Sequence, residues 1–363
     1  MFSGMTTSTD PVVIVGAGQS GLAAARAVRD AGMRPLVLEA GDRPSGSWPG
    51  YYDSLTLFSP ARYSAMPGFP FPGDPDRYPT RDEVADYLDS YAAHLDVEIR
   101  TGTRVSDVES RGRGFVVQTA DGQAIPAAGI VAASGSFGKP YQPVLPGQED
   151  YTGEILHVAQ YRHPKRYAGQ RVVVVGGGNS GVQVAYELAE VASVTIATLQ
   201  PISFMHQRIG GHDLHHWLET SGFDLLSGPW LGHLVPGPLV LDTGDYRNAL
   251  ESGRFDRQPM FTAFDGDGVV WPDGRREKVD VALYATGYRP DLGYLRSLGA
   301  LDDAGLPAHV HGISVTHAGL VYLGLEFQRS FSSNTVRGVS RDADYVAGQL
   351  AAYIHDAAGA IGL

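Results

Sequence analysis

Twice in this chain a short apolar run ends in glycines and opens a helical pattern. The first instance is Pro11-Val12-Val13-Ile14-Val15-Gly16-Ala17-Gly18-Gln19-Ser20-Gly21, and the second is Arg171-Val172-Val173-Val174-Val175-Gly176-Gly177-Gly178-Asn179-Ser180-Gly181. Unbroken Val/Ile runs suit parallel strands buried on both faces. The residues that follow, Leu22, Ala25 and Val28 in one copy and Val184, Leu188 and Val191 in the other, recur as one face of a helix does. Each helix is followed by a β-rich run, Pro35 to Leu38 and Val194 to Thr198. The chain is therefore expected to be α/β, with two Rossmann-like dinucleotide-binding domains, and 363 residues are enough for two cores.

Glycine spacing alone is weak evidence in a chain with 46 glycines; the strand before and the helix after carry the argument. In each copy the first glycine permits the tight turn, the second lets backbone approach a pyrophosphate, and the third lets helix pack on strand. The helix N-terminus then offers unpaired N–H groups and a positive dipole end to phosphate. Gly16, Gly18, Ser20 and Gly21 are thus candidate binding residues of the first site, with Glu39, after Leu36-Val37-Leu38, placed for ribose hydroxyls. Gly176, Gly178, Asn179, Ser180 and Gly181 form the second set. There the counterpart of Glu39 is Thr198-Leu199-Gln200, with Thr198 and Gln200 as candidates but neither an acid nor an adjacent arginine; the choice between NADH and NADPH stays open. Arg208 is a candidate for the phosphate, or else an ordinary solvated arginine.

Two dinucleotide sites in one chain suggest a bound flavin reduced by a nicotinamide. What happens next is restricted by a count: the chain has no cysteine. Disulfides, thiolate metal sites and dithiol relays are all excluded. A net charge of −12 disfavours a nucleic-acid-binding surface. No apolar run reaches membrane-spanning length, and Met1 to Pro11 has no targeting pattern, so a soluble cytoplasmic protein is expected.

Between the two units lie a Pro/Gly/aromatic stretch from Gly46 to Pro79, a helix candidate from Arg81 to His94, and apolar runs at Phe115 to Val117 and Gly129 to Ala133. Phe204 to Met260 is poorly periodic and reads as an insertion of short helices and loops. Val279 to Tyr284 reads as a strand, and Arg341 to His355 as a closing amphipathic helix. His212 and His216 stand four apart, a spacing zinc sites use. No third ligand accompanies them, and a surface or lid helix is the preferred reading; no metal is expected.

Further segments resemble the class B flavin-dependent monooxygenases, in particular the small bacterial flavin-containing members. Tyr151-Thr152-Gly153-Glu154-Ile155-Leu156-His157-Val158-Ala159-Gln160-Tyr161 has the form and place of the family fingerprint F-x-G-x-x-x-H-x-x-x-(F/W), with Tyr at both ends. The next residue is Arg162, where the Baeyer–Villiger form continues differently. Ala285-Thr286-Gly287 resembles the late A-T-G segment, Ala133-Ser134-Gly135 its earlier counterpart, and Gly46-Ser47-Trp48 the G-G-x-W segment. Leu57-Phe58-Ser59-Pro60 and Tyr78-Pro79-Thr80 also resemble the small bacterial members.

The resemblance implies an FAD domain from residues 10–153 plus 281–363, and an NAD(P)H domain at 154–280 carrying the insertion at about 204–260. It adds Ser47, Trp48, Ser134, Gly135, Thr286, Gly287, Asn334 and Thr335 to the cofactor-binding set, the last two because Ser333 to Gly338 precedes a helix whose N-terminus would face the flavin. It implies reduction of FAD by NAD(P)H, reaction with O2 to a C4a-(hydro)peroxyflavin, and oxygen transfer to a sulfide, an amine or a ketone. Phe58 and Ser59 would border the flavin ring, and His157 would gate or brace the domain crossing rather than pass a proton. The insertion, with Trp217, Trp230 and Phe261, would roof the substrate or else serve an interface or plain packing, and the family implies a homodimer. An NAD(P)H oxidase of the same fold and a non-catalytic redox sensor are the alternatives.

Overall fold

The strand Val12–Val15 pairs in parallel with Pro35–Leu38 on one side and Gly129–Ala132 on the other. Glu98–Arg100 and Leu320–Tyr322 extend this core in parallel, and Ile313–Ser314 and His309–Val310 add an antiparallel edge, giving a seven-stranded sheet with the glycine-bearing strand inside it. This computed structural model describes residues 10–228, 230 and 239–359. Residues 1–9 and the 231–238 part of the expected insertion lie outside the described residues.

The apolar runs are continuous because both faces of this sheet are covered. Ile14, Val37, Val131 and Val321 face the helices Gln19–Asp30, Arg81–Leu95 and Val339–Gly359, while Val13, Val15, Leu36 and Ile130 face Phe115 and Val117 of a three-stranded antiparallel sheet. The middle helix starts at a capping box: Thr80 Oγ1 accepts from Glu83 N at 3.4 Å and Glu83 Oε2 from Thr80 N at 2.8 Å.

The second sheet has five strands, all parallel, in the order Asp256–Pro259, Ser193–Thr198, Arg171–Val175, Val281–Tyr284, Glu154–His157. Again the glycine-bearing strand is central. This sheet corrects two sequence expectations. Val281–Tyr284 lies between Arg171–Val175 and Glu154–His157, so it belongs to the second sheet, not to a first-domain segment beginning at 281; both its edges are paired there. The insertion is not only helices and loops: Ser203–His206 pairs in parallel with Leu239–Asp242, Arg208–Ile209 forms a hairpin with His212–Asp213, and Asp256–Pro259 is the sheet's edge strand. Short strands with little alternation leave no period to read. The last helix also exceeds its expected span.

Candidate active site

Both glycine turns have the geometry their residues require. Gly16 and Gly176 sit at φ +103° and +117°, which disfavours any side chain. A Cβ on Gly21 would overlap the carbonyl oxygen of Gly16, and one on Gly181 that of Gly176, so these glycines hold helix against strand. A Cβ on Gly178 would meet nothing within 4 Å, and one on Gly18 only Gly46 Cα at 3.6 Å. Beside its helix start Gly178 therefore faces open space, and Gly18 is met only by another glycine. Both helices, Gln19–Asp30 and Asn179–Leu188, lack a side-chain cap and any acidic residue in the first turn. Their first N–H groups are left for an anion.

Around the first turn the expected residues converge. Glu39 is 8% exposed; its Oε2 accepts from Ala17 N at 2.6 Å and its Oε1 from Gly41 N at 2.7 Å, which fixes the carboxylate against the turn. Gly46 closes on the turn from the other side: its Cβ would lie 2.7 Å from Gly18 Cα. Trp48 Nε1 donates to Gln19 Oε1 at 3.0 Å, and Gln19 Nε2 donates to the Asn334 carbonyl at 3.3 Å, tying the segment before the last helix to the same place. Ser45 Oγ is buried without a partner among the described residues. Open backbone, uncapped N–H groups, a held carboxylate and a spare hydroxyl together fit an adenine dinucleotide such as FAD. Ser20 is buried against Gly324; Thr335 instead bonds the Ser332 carbonyl at 2.7 Å, bracing its own loop.

Around the second turn the residues divide. Asn179 does not point its amide at the turn's opening: Nδ2 donates to Leu239 O at 3.2 Å and Oδ1 accepts from Leu241 N at 3.0 Å, serving a neighbouring strand. Gln200 is exposed. Arg208 is not at the end of the strand Ser193–Thr198; it lies in the hairpin paired with Asp213, bonding Gly211 O at 2.9 Å. The guanidinium that reaches Thr198 is that of Arg257, which sequence reasoning missed because only strand pairing brings it there.

The two domains meet at a cleft. A cavity of about 230 Å³ there is lined by Gly46, Ser47, Tyr51, Phe137, Ala159 and Tyr288. Ser47 Oγ lies 2.9 Å from Tyr51 OH. Ser134 Oγ, next to Gly135 at φ +77°, bonds Asp291 O at 3.2 Å, and Thr286 Oγ1 donates to Tyr141 O, so both crossings of the chain are held together. His157 sits at this junction, 2% exposed. Its Nδ1 accepts from Ala159 N at 3.1 Å and its Nε2 donates to Gly287 O at 3.0 Å. Both nitrogens are thereby committed to backbone, and burial pushes its pKa below the ordinary histidine value. The imidazole thereby ties the end of Glu154–His157 to the backbone at Gly287.

Phe58 packs against the insertion, whereas Ser59 bonds within its own loop. Phe58 O accepts from Gln207 Nε2 at 2.8 Å, the Phe58 ring stacks on His215 at 6.2 Å, and Ser59 Oγ lies 2.9 Å from Ser64 Oγ. His215 is also stacked by Tyr63, and its Nδ1 lies 2.7 Å from Asp213 Oδ1. Asp213 Oδ2 further accepts from Tyr78 OH at 2.6 Å and from Gln207 Nε2 at 2.8 Å. His212 and His216 stack on each other at 4.3 Å, and no cluster of three metal-ligand side chains occurs among the described residues. A second clamp joins Asp224 to Arg337 by two bonds of 2.7 and 2.8 Å. The insertion thus bridges both parts of the first domain. Phe261 does not roof anything: it is buried with Phe264 and Trp271 in the nucleotide domain, while Trp217 and Trp230 are exposed.

Residues 13–212 match the family model described as pyridine nucleotide-disulphide oxidoreductase. The chain is 31% identical over 339 residues to an uncharacterized CzcO-like oxidoreductase of Geobacillus kaustophilus, covering 92% of this chain and 96% of that one. It is 30% identical over 326 residues to indole-3-pyruvate monooxygenase YUCCA1 of Oryza sativa subsp. japonica, covering 80% and 79%. Among solved structures, a flavin-containing monooxygenase from Stenotrophomonas maltophilia superposes with a TM-score of 0.82 at 31% identity, covering 94% of this chain and 98% of that one.

Proposed function

The chain belongs to the pyridine nucleotide-disulphide oxidoreductase family, among its flavin monooxygenases, and on that premise we propose that it uses FAD, NAD(P)H and O2 to oxygenate a small soft nucleophile, a sulfide or an amine. The observation that carries this reading is the pair of open, uncapped glycine turns in a chain without a single cysteine: two dinucleotides have a place, and a thiol acceptor has none. The disulfide chemistry in the family's name is closed to this member.

Bound FAD would accept hydride from the nicotinamide and give reducing equivalents to O2. The protein's part is to bind, orient and exclude water. Backbone N–H groups at Gln19 and Asn179 would meet the two pyrophosphates, and Glu39 the adenosine ribose of FAD. Trp48 and Gln19 would fix the entrance to the first site, and Asn334 its far wall. His157 would hold the crossing strands so that the nicotinamide reaches the cleft in one register. The insertion, clamped at Asp213 and Asp224, would shield the site from solvent. A ketone substrate is the second reading, favoured by the keto acid in the rice relative's name. The proposal extends to a cytoplasmic homodimer, which light scattering on the purified protein tests for assembly; no described helix is long and apolar enough to cross a membrane.

The test is direct. Purified protein is expected to be yellow and to bleach anaerobically with NADH or NADPH. In air, a sulfide such as thioanisole should yield sulfoxide while lowering hydrogen peroxide release. Peroxide equal to NAD(P)H consumed, whatever substrate is added, would mean an oxidase instead. Yellow protein that no nicotinamide bleaches would mean a redox sensor.

A further inference from the structure

In folds of this kind the adenosine ribose lies beyond the carboxyl end of the second strand, where an acid takes the 2′-hydroxyl or an arginine takes a 2′-phosphate. In the second domain that end is Thr198-Leu199-Gln200, which has neither. The adjacent strand supplies one. Asp256–Pro259 pairs in parallel with Ser193–Thr198, with Arg257 opposite Ile196. Side chains alternate along a strand, so Arg257, Ile196 and Thr198 share a face. Along that face the guanidinium reaches the strand end: Nε donates to Thr198 Oγ1 at 2.8 Å and Nη2 to Thr198 O at 3.3 Å.

Thr198 links this cation to the nucleotide turn. It is 4% exposed, and a Cβ on Gly177 would come within 2.8 Å of its methyl group. The guanidinium is therefore anchored one side chain away from the second glycine turn. Thr198 occupies two of its five N–H donors, which leaves the rest to bind. Among the described residues Arg257 has no carboxylate partner, whereas Arg254, just before the same strand, is paired with Glu190 at 3.1 Å. Arg257 is half-buried. A planar, pre-positioned fork with spare donors and no counter-ion is suited to a phosphate group.

Resting on the reading of the second turn as the nicotinamide-nucleotide site, we propose that Arg257 binds the 2′-phosphate of NADPH and makes this chain prefer NADPH to NADH. The preference is carried from the neighbouring strand, which is why the sequence around Thr198 is silent about it.

NADP+ and NAD+ differ only in that phosphate, so the FAD-loaded protein is titrated with each by calorimetry. Wild type should bind NADP+ at least ten-fold more tightly. R257Q should lose about ten-fold or more for NADP+ and less than two-fold for NAD+, and R257K should fall between. In turnover, KM for NADPH should rise in R257Q with kcat little changed. Equal weakening of both nucleotides, no change in either, or a wild type indifferent to the phosphate would each overturn the assignment. Wild type that holds FAD but binds neither nucleotide would overturn the second-site reading itself, and this proposal with it. Flavin content and melting temperature identify a variant that misfolds, and R257K, which keeps the charge, then carries the comparison.

Discussion

Three glycines in each turn carry three different jobs, and the jobs separate on substitution. Gly21→Ala drives a methyl into the Gly16 carbonyl, so it should destabilise the protein by about 1–3 kcal/mol and lose FAD as a consequence. Gly178→Ala puts its methyl into open space at an ordinary extended conformation, φ −83° and ψ −177°. Its melting temperature should stay near that of wild type while nicotinamide-nucleotide affinity falls at least ten-fold, because the methyl stands where backbone must approach pyrophosphate. Urea unfolding and calorimetry on the two variants separate the roles; equal loss of stability in both would count against them. The glycine pattern was legible because it is local: strand, turn and helix lie within a few residues. Ser45 was not, since its buried, unpartnered hydroxyl emerges only when Gly46 folds onto Gly18. The hairpin partner of Arg208, Asp213, was equally hidden, since it is set by pairing and not by a local pattern.

At the scale of elements, the insertion holds on by buried polar groups. Burial by itself would raise the Asp213 carboxyl, but hydrogen bonds from His215, Tyr78 and Gln207 outweigh it and hold the group down to about 2. The Tyr78 phenol, pushed up to about 12 by burial and by Asp213, keeps its proton and remains a donor. A carboxylate with a depressed folded pKa contributes stability that is present above its unfolded value, near 4, and lost as pH falls through the folded one. Wild type should therefore exceed Asp213→Asn by about 2 kcal/mol at pH 6, and the gap should close between about pH 4 and pH 2. Chemical unfolding at several pH values measures this; a gap that does not depend on pH would refute it. At the second clamp, Asp224 and Arg337 have side chains 3% and 11% exposed. Removing one partner strands the other, so Asp224→Ala should cost about 3–5 kcal/mol, and replacing both with apolar residues should cost less. A double-mutant cycle checks the coupling, and additive losses would argue that the pair is not a clamp. The insertion's short strands carried no readable period, and its two clamps join residues far apart in sequence.

For the whole molecule, each of two sheets carries a glycine turn at the end of a central parallel strand, and His157 ties the two stretches of chain that cross between the sheets. If that brace matters for alignment and not for proton transfer, His157→Asn should slow anaerobic flavin reduction without introducing or removing an ionisation in its pH profile. Loss of a titration from that profile would restore a proton-carrying role. The sequence by itself determined the α/β class, the two glycine turns, the carboxylate at Glu39 and the exclusion of thiol chemistry, because each rests on a short-range pattern or on a count. Tertiary structure alone decided that Val281–Tyr284 belongs to the second sheet, that Phe261 is core, that the insertion spans both parts of the first domain, and that Arg257 stands beside Thr198. Those facts depend on which strands pair and which side chains fill a shared space, and pairing between distant segments leaves no mark on either segment read alone.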